Sequence, residues 1–171
     1  MTAADTMTDE PTIEILPYEN AHHDAVAALV LGIQNGEFDN TITYEQQPDL
    51  VNPGEFFEEL GGAFWVALHE GQVVGTCGLI DAGSRCAGLR KMFVRADLRG
   101  APHDIALRLL DLAKVYAKSR GFLWIYLDTI DAFQAAHRFY LKHGFEGIER
   151  SELPPGFPCL PGASKFFRTM V

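Results

Sequence analysis

The most informative segment of the chain is Leu89-Arg90-Lys91-Met92-Phe93-Val94-Arg95-Ala96-Asp97-Leu98-Arg99-Gly100. Over residues 89–94 the side chains alternate between two faces and the far end is apolar, as expected of a central strand. After Gly100 the period changes, because apolar residues recur at steps of three or four, as in a helix that packs on a sheet: Ile105, Leu109, Leu112 and Tyr116. The segment therefore predicts a strand, a tight basic turn and a helix.

The predicted turn is suited to binding phosphate. A strand that enters a helix through a tight turn directs free backbone N–H groups and a partial positive charge at one point. The chain contains no Gly-x-x-x-x-Gly-Lys-Ser/Thr motif, and no Gly-x-Gly-x-x-Gly follows a predicted strand. A P-loop nucleotidase and a dinucleotide-binding fold are therefore disfavoured.

The length and composition indicate one ordinary domain. At 171 residues the chain can bury a single core, which we expect over residues 12–171 after a flexible tail at residues 1–11. No apolar run approaches a membrane span, and the acidic first residues do not resemble a signal peptide. Three widely spaced cysteines without a C-x-x-C pair indicate reduced thiols, so we expect a cytoplasmic protein. A nucleophilic cysteine is the less favoured alternative, because no flanking residue is recognisable as lowering a thiol pKa.

Charge is distributed unevenly along the chain. The net charge is −9, yet no Lys or Arg occurs before Arg85, and that first segment carries 15 Asp and Glu residues. The remainder holds all 14 basic residues and 8 acidic ones. Such asymmetry suggests two ligand surfaces of different charge. The acidic balance and the lack of a basic tract disfavour nucleic-acid binding.

Periodicity along the chain predicts the element order β-α-α-β-β-β-α-β-α-β-β. Strands are predicted at residues 12–16, 64–69, 73–80, 89–94, 123–127, 145–148 and 165–170. Helices are predicted at residues 20–33, 53–60, 105–120 and 131–143, with Asp131 as the cap of the last one. Residues 37–51 are predicted to be irregular, and residues 81–87 and the proline-rich residues 153–161 are predicted to be loops.

Several segments together resemble the GNAT family of N-acetyltransferases, whose corresponding turn binds the pyrophosphate of acetyl-CoA. The resemblance covers nearly the whole chain from Thr12 on. It rests on Lys91-Met92-Phe93-Val94, Arg99-Gly100, Ile105-Ala106-Leu107-Arg108-Leu109-Leu110-Asp111, Ile125-Tyr126-Leu127-Asp128-Thr129 and Ala135-Ala136-His137-Arg138-Phe139-Tyr140-Leu141-Lys142-His143-Gly144-Phe145. It implies an α/β (α+β) fold with a mixed central sheet of about seven strands and helices on both faces. It also implies acetyl-CoA as co-substrate, without a metal.

The resemblance implies roles for particular residues. Acetyl transfer requires a polarised thioester carbonyl, an amine that loses a proton and a thiolate that gains one. A backbone N–H of Phe93 or Val94 would polarise the carbonyl, and Tyr140 would protonate the thiolate, since a phenol with a pKa near ~10 suits that step. Alternatively, Tyr140 only anchors its helix to the sheet. The residues implied to contact acetyl-CoA are Met92, Phe93, Val94, Arg99, Gly100, Ala101, His103, Asp104, Ile105, Ala106, Phe133 and Tyr140.

The acceptor implied by the resemblance is a primary amine of a small molecule or peptide, acetylated directly in a ternary complex. Glu37, Phe38 and Thr129 are expected to bind it. The acidic first half of the chain suggests a cationic amine, although these acids are equally well explained as a solvated surface. The proline-rich loop either lines the acceptor cleft or only connects strands. Dimers are common in the resembling family, so a homodimer is a further expectation.

The general base and a metal site are not identified by the sequence. Candidates for the base by residue type are Glu37, Asp39, Glu45, His22, His23 and His137, and a chain of waters is an equal alternative. His22 and His23 are adjacent on a predicted helix, so their side chains diverge, and no further ligand cluster accompanies them. We therefore predict no metal.

The predicted phosphate turn departs from the family pattern. In place of Arg-Gly-x-Gly-x-Gly the chain has Arg99-Gly100-Ala101-Pro102-His103-Asp104, similar to a branch with a turn two residues longer and a glycine at Asp104. A carboxylate there would oppose a phosphate by about 4 kcal/mol at 4 Å and an effective dielectric near 20. As an N-cap it would also occupy the helix N–H groups. The alternative function is therefore a degenerate, non-catalytic binding module with weakened CoA binding, although nearby Arg and His residues would offset the charge.

Overall fold

The computed structural model describes residues 12–37 and 42–171. Within them seven strands form one sheet: β1 (Ile13–Pro17), β2 (Ala63–His69), β3 (Gln72–Asp81), β4 (Cys86–Val94), β5 (Trp124–Thr129), β6 (Glu146–Ile148) and β7 (Lys165–Met170). Five α-helices accompany it: α1 (His23–Leu31), α2 (Pro48–Val51), α3 (Pro53–Glu59), α4 (Ile105–Ser119) and α5 (Gln134–Lys142). The predicted tail at residues 1–11 and the predicted contact residue Phe38 lie outside the described residues.

The sheet is mixed, and its order is β1-β2-β3-β4-β5-β7-β6. Every neighbouring pair is antiparallel except β4 and β5, which are parallel because α4 forms the crossover between them. The prediction of a mixed sheet of about seven strands is confirmed. The parallel pair is central, and it is the feature that positions the candidate site.

Helices cover both faces of the sheet, as predicted. On one face α4 packs through Ile105, Leu109 and Leu110, and α5 joins the same core through Tyr140. On the other face the helices α1, α2 and α3 form a second core, in which the fully buried helical side chains are Val26, Val30, Leu50 and Phe57. At about 25 cal/mol per Å² of apolar surface, these two cores supply most of the stabilisation of the fold.

Three details differ from the predictions for the loops and helix ends. The predicted loop at residues 81–87 is shorter, because β3 reaches Asp81, β4 begins at Cys86, and Gly83 has a φ of 81° in the turn between them. Helix α5 begins at Gln134 with Phe133 at the N-cap, so Asp131 does not cap it. The backbone N–H of Asp131 instead donates to the Ser164 hydroxyl at 3.1 Å.

The segment predicted as irregular, residues 37–51, contains regular structure. A π-helical turn, Gly32–Glu37, extends α1, and α2 (Pro48–Val51) starts with a proline, which suits the first turn of a helix. The sequence did not indicate this regular structure, because the segment is polar even where it is buried. Its buried side chains include Gln47 and Asp49, whose partners lie elsewhere in the chain. No described helix has the length and apolarity that a membrane span needs.

Candidate functional site

The two central strands separate from each other and leave a cleft. Backbone pairing between β4 and β5 covers only Cys86 to Gly88 against Trp124 to Tyr126. Both strands continue beyond this point, β4 to Val94 and β5 to Thr129. The diverging ends therefore leave backbone groups of β4 without a partner from β5.

A bulge in β4 lies at the point of divergence. Phe93 pairs with Thr76 and Arg90 with Gly78, so two β4 residues, Lys91 and Met92, stand opposite one β3 residue. Lys91 has a φ of 50°, which is uncommon for a residue with a Cβ. The Thr76 hydroxyl donates to the Lys91 carbonyl at 2.7 Å and holds the bulge in place. Bulges bend a strand and redirect its side chains, as this one does.

The pairing register shows which backbone N–H groups face the cleft. The Arg95 N–H donates to the Val74 carbonyl at 2.8 Å, so Arg95 faces β3. Because the direction alternates along an antiparallel pair, Phe93 also faces β3 and Val94 faces the cleft. The Val94 carbonyl accordingly accepts from Arg99 Nε at 2.8 Å. Of the two N–H groups predicted to polarise a carbonyl, the register favours that of Val94 over that of Phe93.

Two cavities meet in this cleft. The first, which we call the turn cavity, has a volume of about 240 Å³ and extends from β4 to the start of α4 and to α5. The second, which we call the polar cavity, has a volume of about 340 Å³ and extends to α2 and the loop before β7. Both are lined by Met92, Phe93, Phe133, Ala136 and Tyr140. These five residues form the junction of the two cavities.

Tyr140 lies at this junction with only 6% of its surface exposed. Its ring packs against Phe139, Phe145 and Phe167, so it also anchors α5 to the sheet, as the alternative interpretation predicted. Burial raises the pKa of its phenol well above the ordinary value. The hydroxyl therefore stays protonated across the neutral and moderately alkaline range, as a proton donor requires.

The turn before α4 leaves the helix N–H groups available. Gly100 has a φ of 76°, and the Asp104 N–H donates to its carbonyl at 2.9 Å. Asp104 occupies the N-cap position in a left-handed conformation (φ 48°, ψ 44°), but its carboxylate accepts no capping hydrogen bond. The prediction that this carboxylate would occupy the N–H groups is therefore wrong. The first three N–H groups of α4 have no acceptor within the helix.

Arg99 and Glu37 form a pair that the sequence did not predict. The Arg99 guanidinium donates to both Glu37 oxygens at 2.7 and 2.8 Å, and its Nε binds Val94. Glu37 was predicted to bind the acceptor and Arg99 to bind acetyl-CoA. Arg99 and Gly100 do line the turn cavity, whereas Glu37 lines neither cavity. The pair instead joins the turn after α1 to the turn before α4.

Some of the remaining predicted contact residues line the cavities, and others lie outside them. Ala106 lines the turn cavity and Thr129 lines the polar cavity. The predicted residues outside both walls are Ala101, His103, Asp104 and Ile105. The proline-rich loop does contribute to the polar cavity, through Leu160 and Pro161.

None of the base candidates within the described residues lines either cavity. His23, for example, binds the hydroxyls of Tyr18 and Tyr44 at 3.2 and 2.9 Å. Asp39 lies outside the described residues. Within residues 12–37 and 42–171, no group of three or more His, Cys, Asp or Glu side chains is placed to hold a metal.

The polar cavity collects charged residues that the sequence analysis did not single out as functional. Of the ten buried polar or charged residues in the described part of the chain, seven line it: Gln34, Gln47, Asp49, Arg90, Lys91, Asp128 and Thr129. Burying polar groups is costly unless they pair with one another, so such a concentration indicates a functional cavity. Arg90 and Lys91, two cations in a buried strand, were the one sequence signal that pointed to it.

Comparisons with known proteins agree with this geometry. A family model described as an acetyltransferase (GNAT) domain matches residues 60–147, from the end of α3 to β6. The chain belongs to the GNAT family. A GNAT acetyltransferase from Staphylococcus aureus, known from its crystal structure, is 36% identical with a TM-score of 0.88 and is covered over 99% of its chain and 93% of this one.

Two further relatives match over part of their length. An uncharacterised N-acetyltransferase of Escherichia coli is 32% identical over 105 residues, which are 60% of this chain and 62% of that protein. An N-acetylaspartate synthetase of Danio rerio is 31% identical over 119 residues, which are 66% of this chain and 40% of that protein. The chain thus spans less than two thirds of these two relatives. Members of the GNAT family use acetyl-CoA and act on amine acceptors.

Proposed function

We propose that this GNAT protein transfers an acetyl group from acetyl-CoA to a primary amine of a small molecule, directly and in a ternary complex. The observation that carries the proposal is the junction of the two cavities. The buried phenol of Tyr140 lies at this junction, and Val94, whose N–H the register directs into the cleft, lines the turn cavity beside it. A donor for a carbonyl oxygen and a proton source for a thiolate thus meet where two ligands can approach from opposite sides.

The residues on the turn side fit a CoA thioester. The turn at residues 100–104 and the first N–H groups of α4 would hold the pyrophosphate. The apolar walls of the turn cavity, including Met92, Phe133 and Phe139, would contact the pantetheine arm. When bound, acetyl-CoA supplies an activated acetyl group as its thioester. None of the described residues that line this cavity carries a carboxylate, which suits an anionic ligand.

The chain itself contributes two steps in this proposal. The Val94 N–H donates to the carbonyl oxygen and stabilises the negative charge that develops when the amine attacks. Tyr140 gives its phenolic proton to the departing sulfur and is reprotonated by solvent. The carboxylates in the polar cavity, Asp49 and Asp128, are engaged in ion pairs. We therefore propose that the proton of the amine leaves through water.

A second candidate is favoured by the Asp104 carboxylate, which lies at the start of α4. If its charge prevents the pyrophosphate from binding, the fold serves as a non-catalytic binding module. We favour the enzyme because the Asp104 carboxylate does not occupy the first N–H groups of α4, so they can still donate to a phosphate. Two measurements separate these functions.

Calorimetric titration of acetyl-CoA at low and moderate salt tests the turn, and release of free CoA in the presence of amines tests the chemistry. We expect micromolar binding that weakens with salt, together with amine-dependent thiol release. Salt weakens it because the ligand is a polyanion. If acetyl-CoA binds but no amine causes the release of free CoA, the proposed catalysis is contradicted. If acetyl-CoA does not bind at millimolar concentration, both the proposed co-substrate and the proposed reaction are contradicted.

A further inference from the structure

The polar cavity contains two separate ion pairs, and they differ in how completely the chain satisfies them. In the first, Arg90 pairs with Asp128 at 3.2 Å and also donates to the carbonyl of Pro158. The second Asp128 oxygen accepts from the Leu160 N–H at 2.5 Å. These contacts link the proline-rich loop to β4 and β5, so a structural role explains the Arg90–Asp128 ion pair.

The second ion pair joins Lys91 to Asp49 at 3.2 Å. The Lys91 ammonium also donates to Gln47 Oε1 at 2.7 Å, and Gln47 exchanges two side-chain hydrogen bonds with Gln34 at 2.9 and 3.0 Å. An ammonium has three donors, and these contacts use two of them. No described residue takes the third, so it is available to a ligand in the cavity.

The bulge in β4 explains why Lys91 points into the cavity. In a regular strand, neighbouring side chains point to opposite faces, so Arg90 and Lys91 would be separated. The extra residue and the φ of 50° at Lys91 instead bring both side chains to the wall of one cavity. A left-handed conformation at a lysine costs energy, which indicates that the position of this ammonium matters.

The contacts of Lys91 with the chain only partly offset the cost of burying its ammonium. Its side chain is 5% exposed, and burial lowers the pKa of its ammonium although Asp49 and Asp128 act in the opposite direction. The neighbouring Arg90 adds to the lowering. A ligand anion at the third donor would supply the missing compensation.

We propose that the amine acceptor is a small molecule that carries a carboxylate beside its amine, such as an amino acid, and that Lys91 binds this carboxylate. The inference rests on the proposed acetyltransferase function and specifies its substrate class. The carboxylate meets Lys91 at the polar end, and the amine reaches the apolar junction beside Val94 and Tyr140. The cavity of about 340 Å³ is at the small end of the range for ligand pockets, which suits a molecule of this size.

The same wall argues against an acceptor whose only charged groups are cations. Among the described acidic residues of the first half of the chain, only Asp49 lines the polar cavity, and it is already paired with Lys91. A second cation there would face Lys91 and Arg90, whose partners Asp49 and Asp128 are already engaged in ion pairs. The expectation of a cationic amine therefore receives no support from the cavity.

The test compares acceptors that differ only in the carboxylate. The matched pairs are alanine with ethylamine, phenylalanine with phenethylamine, methionine with 3-(methylthio)propylamine and lysine with cadaverine, together with methioninamide. We expect the wild-type protein to prefer the acids in kcat/KM by about tenfold or more, because a site built for a polar group discriminates against analogues that lack it. Equal or better acetylation of the decarboxylated amines or the amide would overturn the inference and leave the acetyltransferase function standing.

Variants assign the preference to Lys91. In Lys91→Met/Asp49→Leu both charges are removed together, so no unpaired carboxylate stays buried. We expect the acid-to-amine ratio to collapse in this variant and to survive in Lys91→Arg, while acetyl-CoA binding by calorimetry stays unchanged in both. The exposed Lys118→Met serves as the matched control. A ratio that is unchanged in the double variant would overturn the role of Lys91, and absence of any acetylated amine would overturn the proposed function and this inference with it.

Discussion

At the scale of a single residue, Tyr140 has a packing role in the structure and a proposed role in proton transfer. Its ring packs among Phe139, Phe145 and Phe167, and its side chain lines the junction of both cavities. Packing requires only the ring, whereas proton transfer requires the hydroxyl. Replacement of Tyr140 by Phe therefore separates the two roles.

For Tyr140→Phe we expect turnover to fall roughly hundredfold, the magnitude typical of a general acid, while acetyl-CoA affinity and stability change little. Steady-state kinetics and calorimetry measure these quantities. Tyr116→Phe is the control, because the Tyr116 hydroxyl donates at 3.2 Å to the carbonyl of Gly62, away from the cleft. Equal turnover in wild type and Tyr140→Phe would show that Tyr140 is only an anchor.

Asp104 is the residue at which this chain departs from the family pattern. The backbone at this position is left-handed, with a φ of 48°, a conformation that glycine adopts readily. Aspartate tolerates this conformation better than most residues. The geometry of the turn is thus compatible with Asp104, and only its charge opposes a phosphate.

For Asp104→Asn we expect acetyl-CoA to bind about three- to tenfold more tightly, because the variant removes a charge of the same sign as the ligand and keeps the conformation. Titration at two salt concentrations measures the effect, which should shrink at higher salt. Asp104→Gly also relieves the backbone strain at this position. If only the glycine variant binds acetyl-CoA more tightly, the backbone conformation, and not the charge of Asp104, weakens binding in the wild-type protein.

At the scale of elements, the bulge in β4 determines the site. It separates β4 from β5 beyond Gly88 and directs Lys91 into the polar cavity. Its geometry is held by the hydrogen bond from Thr76 on β3 to the Lys91 carbonyl. That contact joins the core of the sheet to the wall of the cleft.

For Thr76→Val we expect a loss of about 1–3 kcal/mol in the free energy of unfolding, because a buried carbonyl loses its donor. Turnover should fall further, since the bulge can then relax. Thr169→Val is a matched control: Thr169 is also a buried threonine, and its hydroxyl donates at 3.1 Å to Gly144, outside the cleft. Urea unfolding and steady-state kinetics of both variants give the comparison. A parallel loss of turnover in Thr169→Val would mean that destabilisation alone explains the effect.

The elements themselves were largely predictable. Periods of two and of three to four residues indicated the seven strands, α1, α3, α4 and α5, because burial on one face imposes these spacings. Helix α2 was missed, since its four residues are too few to show a period. The cap of α5 was misplaced because Asp131 has the right chemistry for a cap, whereas the backbone turns at Phe133.

At the scale of the whole molecule, burial keeps the thiol of Cys77 and the phenol of Tyr140 uncharged in the folded state. Cys77 is fully buried, and burial raises the pKa of its thiol far above the ordinary value. In the unfolded chain the thiol ionises above about pH 8.5 and the phenol of Tyr140 above about pH 10. The unfolded chain then binds fewer protons than the folded one, so the folded state is favoured less as the pH rises.

We therefore expect the free energy of unfolding to decline above about pH 8.5, by up to about 1.4 kcal/mol per pH unit for each such group. The lowered pKa of Lys91 acts in the opposite direction over its own window. Cys77→Ala should be less stable at pH 7.5 but should show a flatter decline between pH 8.5 and 10. Urea unfolding followed by tryptophan fluorescence measures both slopes, and parallel curves would contradict the assignment to Cys77.

The sequence alone determined the type and order of most elements and the turn before α4, because these depend on local periods and on backbone chemistry. Only the tertiary structure decided what lies in the cleft. The residues of the polar cavity come from the segment between α1 and α2, from α2, β4, β5 and α5, and from the loop before β7. Lys91 lies 42 positions beyond Asp49 in the sequence. Their meeting depends on a strand register shifted by one bulge, and no local pattern records a register between distant segments.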